Sequence, residues 1–62
     1  MLLYYKVERD ENKRYIVELF YRGLLGQMKE MHRTAHKEVK EVNEVIQYYR
    51  KAGYRIQSIA TA

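Results

Sequence analysis

The sequence contains no cysteine, no proline and no tryptophan. Without thiols there is no disulfide and no thiolate metal site. It has no low-complexity tract, no internal repeat and no linker-like stretch. Long apolar runs are missing as well. Leu2 and Leu3 begin one, but no cation precedes them and Lys6 ends it. A secretory signal needs about 7–15 apolar residues behind a charged flank, and a membrane span needs about 20. The chain therefore reads as soluble and cytoplasmic.

Catalytic signatures are absent in the same way. Ser58 is the single serine, and no Gly-x-Ser-x-Gly surrounds it. Gly23 and Gly26 flank Leu-Leu and precede no Lys-Ser/Thr, so they form no phosphate loop. His32 and His36 lie four apart but belong to no H-E-x-x-H, and a third metal ligand is not evident. A desolvated cleft of about 300 Å³ or more is hard to enclose in so short a chain. No catalytic residue, cofactor, metal or small-molecule substrate is expected, and an enzyme is not the expected class.

What is present is one small domain of 62 residues. A domain of that size buries about 60% of its unfolded surface. With disulfides and thiolate metal sites excluded, oligomerisation or docking on a partner is the remaining way to reinforce it. Twelve Lys and Arg against eight Asp and Glu leave a net charge of +4. That favours acidic partners without implying DNA. Seven tyrosines and abundant aliphatics argue for folding over disorder. Size and missing catalytic machinery together are those of small bacterial or phage accessory proteins.

An α+β fold is expected. Residues 2–9 and 14–22 are rich in β-formers and flank the turn-like Asp-Glu-Asn-Lys, which predicts an N-terminal hairpin. Asn12 is the expected left-handed residue of the turn. With Asp10 facing Arg14, Tyr5 meets Leu19, Lys6 meets Glu18 and Val7 meets Val17. That register puts Leu3, Tyr5, Val7, Tyr15, Val17, Leu19 and Tyr21 on one face, the expected core face. Val39, Val42, Ile46 and Tyr49 recur at spacings of three and four, predicting the main helix over 35–52. Thr34 is its expected N-cap. Gly53 is its expected left-handed C′ residue, with Tyr54 folding back on Tyr49. Residues 54–59 alternate and read as a short C-terminal strand. Residues 24–33 read as helical or as a third strand. The helical reading is favoured, because Leu24, Met28 and Met31 continue the stripe and strand alternation is poor.

Two surfaces are candidates for binding. Tyr48 falls opposite the apolar stripe, on an outer face shared with Lys37, Lys40 and Lys51 but also with Glu41 and Glu44. Near the end of the chain, Arg50, Lys51 and Arg55, with Tyr48 and Tyr54, form an acid-free basic–aromatic cluster. Tyrosine and arginine are enriched at protein–protein hot spots. Aromatics with cations also suit single-stranded nucleic acid. The leading expectation is a non-catalytic regulatory or inhibitory protein that binds another protein, as a homodimer. The alternative is a small nucleic-acid-binding module using the helix end and the tail.

Overall fold

A computed structural model describes residues 1–59. The chain forms β1 (Leu2–Arg9), β2 (Tyr15–Arg22), β3 (Met28–His36), α1 (Val39–Lys51) and β4 (Arg55–Ser58). The sheet order is β3-β2-β1-β4. The first three strands are antiparallel neighbours, and β4 lies parallel to β1. This is the expected α+β architecture, with the third-strand reading of the middle segment. The helical continuation through residues 24–33 does not form, and Thr34 sits in β3 instead of capping α1. Glu38 occupies the N-cap in an extended conformation and makes no side-chain cap bond. Lys37 likewise precedes the helix and does not share its outer face.

Both hairpins are built on the same three-residue loop, a β-turn followed by one left-handed residue. In the first, the Lys13 amide donates to the Asp10 carbonyl at 3.0 Å. Lys13, not Asn12, takes the positive φ, at 63°. In this loop type the left-handed position follows the turn, which places it one residue beyond Asn12. The second loop repeats the pattern. The Gly26 amide donates to the Gly23 carbonyl at 3.0 Å, and Gly26 has φ 84°. The turn leaves the Leu24 and Leu25 side chains fully exposed at its tip.

The β1–β2 register is the expected one: Tyr5 faces Leu19, Lys6 faces Glu18 and Val7 faces Val17. The Asp10 carboxylate fixes it by accepting from the Asn12 amide at 2.9 Å and the Arg14 amide at 2.8 Å. These bonds, the Arg14 amide foremost, hold the Asp10 carboxyl below its ordinary value. A depressed folded-state pKa contributes stability above the unfolded value and loses it as pH falls through the folded one. Asp10→Asn should therefore be less thermostable than the parent at pH 7. That difference should shrink as pH falls below about 3.9 and vanish only below the lower, folded-state value. Thermal melts of both proteins across the acid range check this, and a gap that persists at low pH would contradict it.

The core lies between one sheet face and α1. Leu3, Val17 and Leu19 are buried from the sheet, and Val42 and Ile46 from the helix. Tyr5, Tyr15, Val45 and Ile56 pack around Val17, Val42 and Ile46. Val39 departs from the expected stripe and is 53% exposed. It is the first helical residue, where the chain has only just left the edge strand. Gly53 ends the helix as expected, with φ 101°. Its amide donates to the Arg50 carbonyl at 3.0 Å and that of Tyr54 to the Tyr49 carbonyl at 3.1 Å. That is the full Schellman pattern, and the Tyr49 and Tyr54 rings meet at 5.9 Å between centroids.

Candidate binding site

α1 covers one face of the sheet but leaves a groove over β3. The groove has a volume of about 300 Å³ and is lined by His32, Thr34, Glu44, Val45, Tyr48 and Tyr49. Its floor is set by register. His32 and Thr34 pair with Leu19 and Val17, so they share the helix-bearing face. Its wall is the flank of α1, where Glu44, Val45, Tyr48 and Tyr49 fall on successive turns. Tyr48 is 68% exposed. It meets Tyr49 edge to face, with centroids 5.2 Å apart. Tyr49 in turn rests on Tyr54, so a three-ring chain stiffens this end of the wall. At the other end, His36 is held by Thr34 at 2.8 Å and Glu41 at 3.2 Å.

The groove can take an apolar or aromatic side chain, with His32, Thr34 and Glu44 as polar contacts at its margin. His32 and Glu44 are exposed, and among the described residues no group of three or more His, Asp or Glu could hold a metal ion. The two histidines lie on a strand, where positions four apart are about 13 Å distant. No helix among the described residues is long and apolar enough to cross a membrane.

The sequence placed Tyr48 on the exposed side of α1, and the structure has it there, bordering the groove. It missed His32, Thr34 and Val45 as companions, because they come together only once β3 is a strand. The basic–aromatic cluster does not survive as one surface. Arg50 and Lys51 are exposed at the end of α1. Tyr54 is half-buried against Tyr49. Arg55 pairs with Leu2 in the parallel ladder, one residue out of phase with buried Leu3 and its partner Ile56. Arg55 therefore stands on the opposite face of the sheet from α1. Lys40 is exposed near the start of α1, and Lys37 lies in the turn before it.

Among the described residues, that opposite face carries no helix. Its centre is a ladder of alternating charge: Glu8, Lys6, Glu18, Arg33 and Glu30, linked at 3.2, 3.5, 3.1 and 3.0 Å. Glu18 is buried beneath Lys6 and Arg33. The Lys6 ammonium is held above its ordinary value, first by Glu8 and then by Glu18. Beside the ladder, Tyr4 and Phe20 pair across β1 and β2. Arg22 lies over the Tyr4 ring at 5.5 Å and Lys6 over Phe20 at 5.8 Å. No family model matches this chain, and comparison with curated proteins and with solved structures finds no match.

Proposed function

We propose that this chain is a non-catalytic regulatory or inhibitory protein that acts, as a homodimer, by holding a segment of another protein in the groove between α1 and β3. The observation that carries this reading is Tyr48. It is a large aromatic left mostly exposed on the rim of an apolar groove, braced from behind by Tyr49. A rigid tyrosine beside a pocket is the arrangement that concentrates binding energy at protein interfaces. Mixed charge around the groove, with Lys40 and Glu44 on one helix, suits a protein partner better than a polyanion. The groove is also open, and its histidine and carboxylate, His32 and Glu44, are exposed, which favours binding over acid–base chemistry.

The test is capture of partners from lysate on the immobilised protein, with and without nuclease. Proteins retained after nuclease should be lost with Tyr48→Ala. A hot-spot tyrosine corresponds to about 2 kcal/mol, or roughly thirtyfold in affinity. Far-UV circular dichroism should not change, because Tyr48 is outside the core. Undiminished capture by the variant would refute the groove as the site.

Nucleic acid is the second reading, and a different surface favours it. Tyr4 and Phe20, with Arg22 over the Tyr4 ring and Arg55 on the same face, form an aromatic platform at one end of the open face, bordered on the β3 side by Glu30. Stacking on such rings with nearby cations suits single strands. In that case capture is lost with nuclease, and affinity for an oligonucleotide falls with salt at a log–log slope of about −0.7 per phosphate contacted.

A further inference from the structure

We infer that two copies of this chain join through β3, in one antiparallel register that makes a continuous eight-stranded sheet. This assigns the interface of the homodimer proposed above, and rests on that part of the reading. β3 is a nine-residue edge strand, exposed along most of its length. An edge of that length is a template for another strand unless it is blunted. Of its three charges, Lys29 turns toward β2, while Glu30 and Arg33 face the free edge and would oppose many partners. Their positions instead complement a second copy.

The β1–β2 ladder decides which backbone groups β3 leaves free. The Asp10 amide donates to the Arg14 carbonyl. Antiparallel ladders alternate, so Ile16, Glu18 and Phe20 turn their amides and carbonyls to β1. Tyr15, Val17, Leu19 and Tyr21 then turn theirs to β3, where their partners are His36, Thr34, His32 and Lys29. The residues facing the free edge are the others: Met28, Glu30, Arg33 and Ala35. The register shift between Leu19 and Phe20 makes Met31 the extra residue. That bulge brings Glu30 and Arg33 into the same phase. Both point their side chains to the helix-free face, where they already form an ion pair at 3.0 Å.

One two-fold antiparallel register pairs all four edge-facing residues. Met28 then faces Ala35 of the second copy, and Glu30 faces Arg33 of the second copy, each pair occurring twice. Every pair is of the type that exchanges two backbone hydrogen bonds. Opposite charges fall directly across from one another, which stabilises strand pairing. Shifting the register by two residues leaves half of the edge-facing groups unpaired. The charge ladder of each sheet then runs across the junction into the other.

Two consequences follow. The fully exposed tip of the β2–β3 hairpin, Leu24 and Leu25, extends past His36 of the second copy toward its half-exposed Val39. Antiparallel pairing also preserves faces, so both helices lie on the same side of the joined sheet. The two grooves, floored by His32 and Thr34, then open toward each other across the axis and become the walls of one cleft.

The chain has no native cysteine, so disulfide trapping has no background. In the double variant Met28→Cys/Ala35→Cys the two positions are too far apart to bridge within one chain. In the dimer they are close neighbours, at a Cα separation of about 5.5 Å, which a disulfide can span. Air oxidation should give a covalent dimer, whereas Lys29→Cys/Ala35→Cys, with side chains on opposite faces, should not. Sedimentation equilibrium of the unmodified chain should show a dimer. Ala35→Pro removes an edge-facing amide without disturbing the β2 ladder, since proline is tolerated on that side of an edge strand. It should raise the dimer dissociation constant about tenfold or more, and Glu30→Lys should weaken the dimer independently. A dimer that neither variant weakens and that fails to cross-link would overturn this interface while leaving self-association intact. A chain that is monomeric at millimolar concentration would overturn both. Loss of partner capture with Tyr48→Ala is read separately and bears on the groove alone.

Discussion

Leu19→Ala should remove about half of this protein's stability. Leu19 is completely buried in the central strand β2, beneath α1. Truncating a fully buried leucine costs about 2–5 kcal/mol, the lost transfer energy plus the cavity left behind. A domain of this length has a total stability of about 3–9 kcal/mol. The core consists of Leu3, Val17, Leu19, Val42 and Ile46, so few neighbours can collapse into the gap. Each kcal/mol moves the melting temperature by about 4–8 °C at this size. A drop of at least about 10 °C is therefore expected in a thermal melt. Val7→Ala is the matched control: it lies on the same face but is 40% exposed beyond the reach of α1, and should cost less than half as much. Equal effects from the two would show that α1 does not seal this part of the sheet.

Glu18→Lys should be about as damaging, for an electrostatic reason. The Glu18 carboxylate is 7% exposed, with one oxygen 3.1 Å from Arg33 and the other 3.5 Å from Lys6. Removing one member of a buried pair costs about 3–5 kcal/mol when the other charge is left unmatched. Here both cations reach solvent, which lowers that figure, but the introduced ammonium must share their space, which raises it. A loss of about 3 kcal/mol in urea unfolding is expected. Glu18→Gln keeps the shape and an acceptor and should lose about 1–2 kcal/mol. Adding Arg33→Glu to Glu18→Lys restores one opposite pair and should recover about 1 kcal/mol, measured as a coupling in the double-mutant cycle. No recovery would mean that the ladder is a set of independent surface contacts.

The same residue shows how far a strand pattern can be read. The pairing of Glu18 with Lys6 follows from sequence, because the turn at Asp10 sets the β1–β2 register and the register sets every pair after it. The contact of Glu18 with Arg33 does not, because β3 is hard to recognise. An edge strand exposed on much of both faces has little hydrophobic alternation, and the extra residue at Met31 breaks what there is. Leu24 and Met28 sit at helical spacing by coincidence: Leu24 is a turn residue and Met28 faces the free edge. The candidate site divides along the same line. Tyr48 could be placed from the helical wheel alone, since a 3.6-residue period fixes which side faces away from Ile46. The groove it borders could not, because its floor belongs to β3. The basic cluster at residues 50–55 failed for a related reason. Neighbours in sequence separate when a helix ends and a strand begins, and Arg55 turned to the far side of the sheet.

The order of residues along this chain was enough to determine the hairpin and its three-residue loop, the inward Val42 and Ile46 of α1 and the Gly53 stop. Each depends on interactions a few residues apart, and local backbone sterics with a regular hydrophobic period decide those. Tertiary structure alone decided that β3 is a strand, that β4 joins β1 in parallel, and which side chains meet around the groove and at the free edge. Those outcomes turn on hydrogen bonds and packing between distant segments, whose energies exist only after the sheet has assembled.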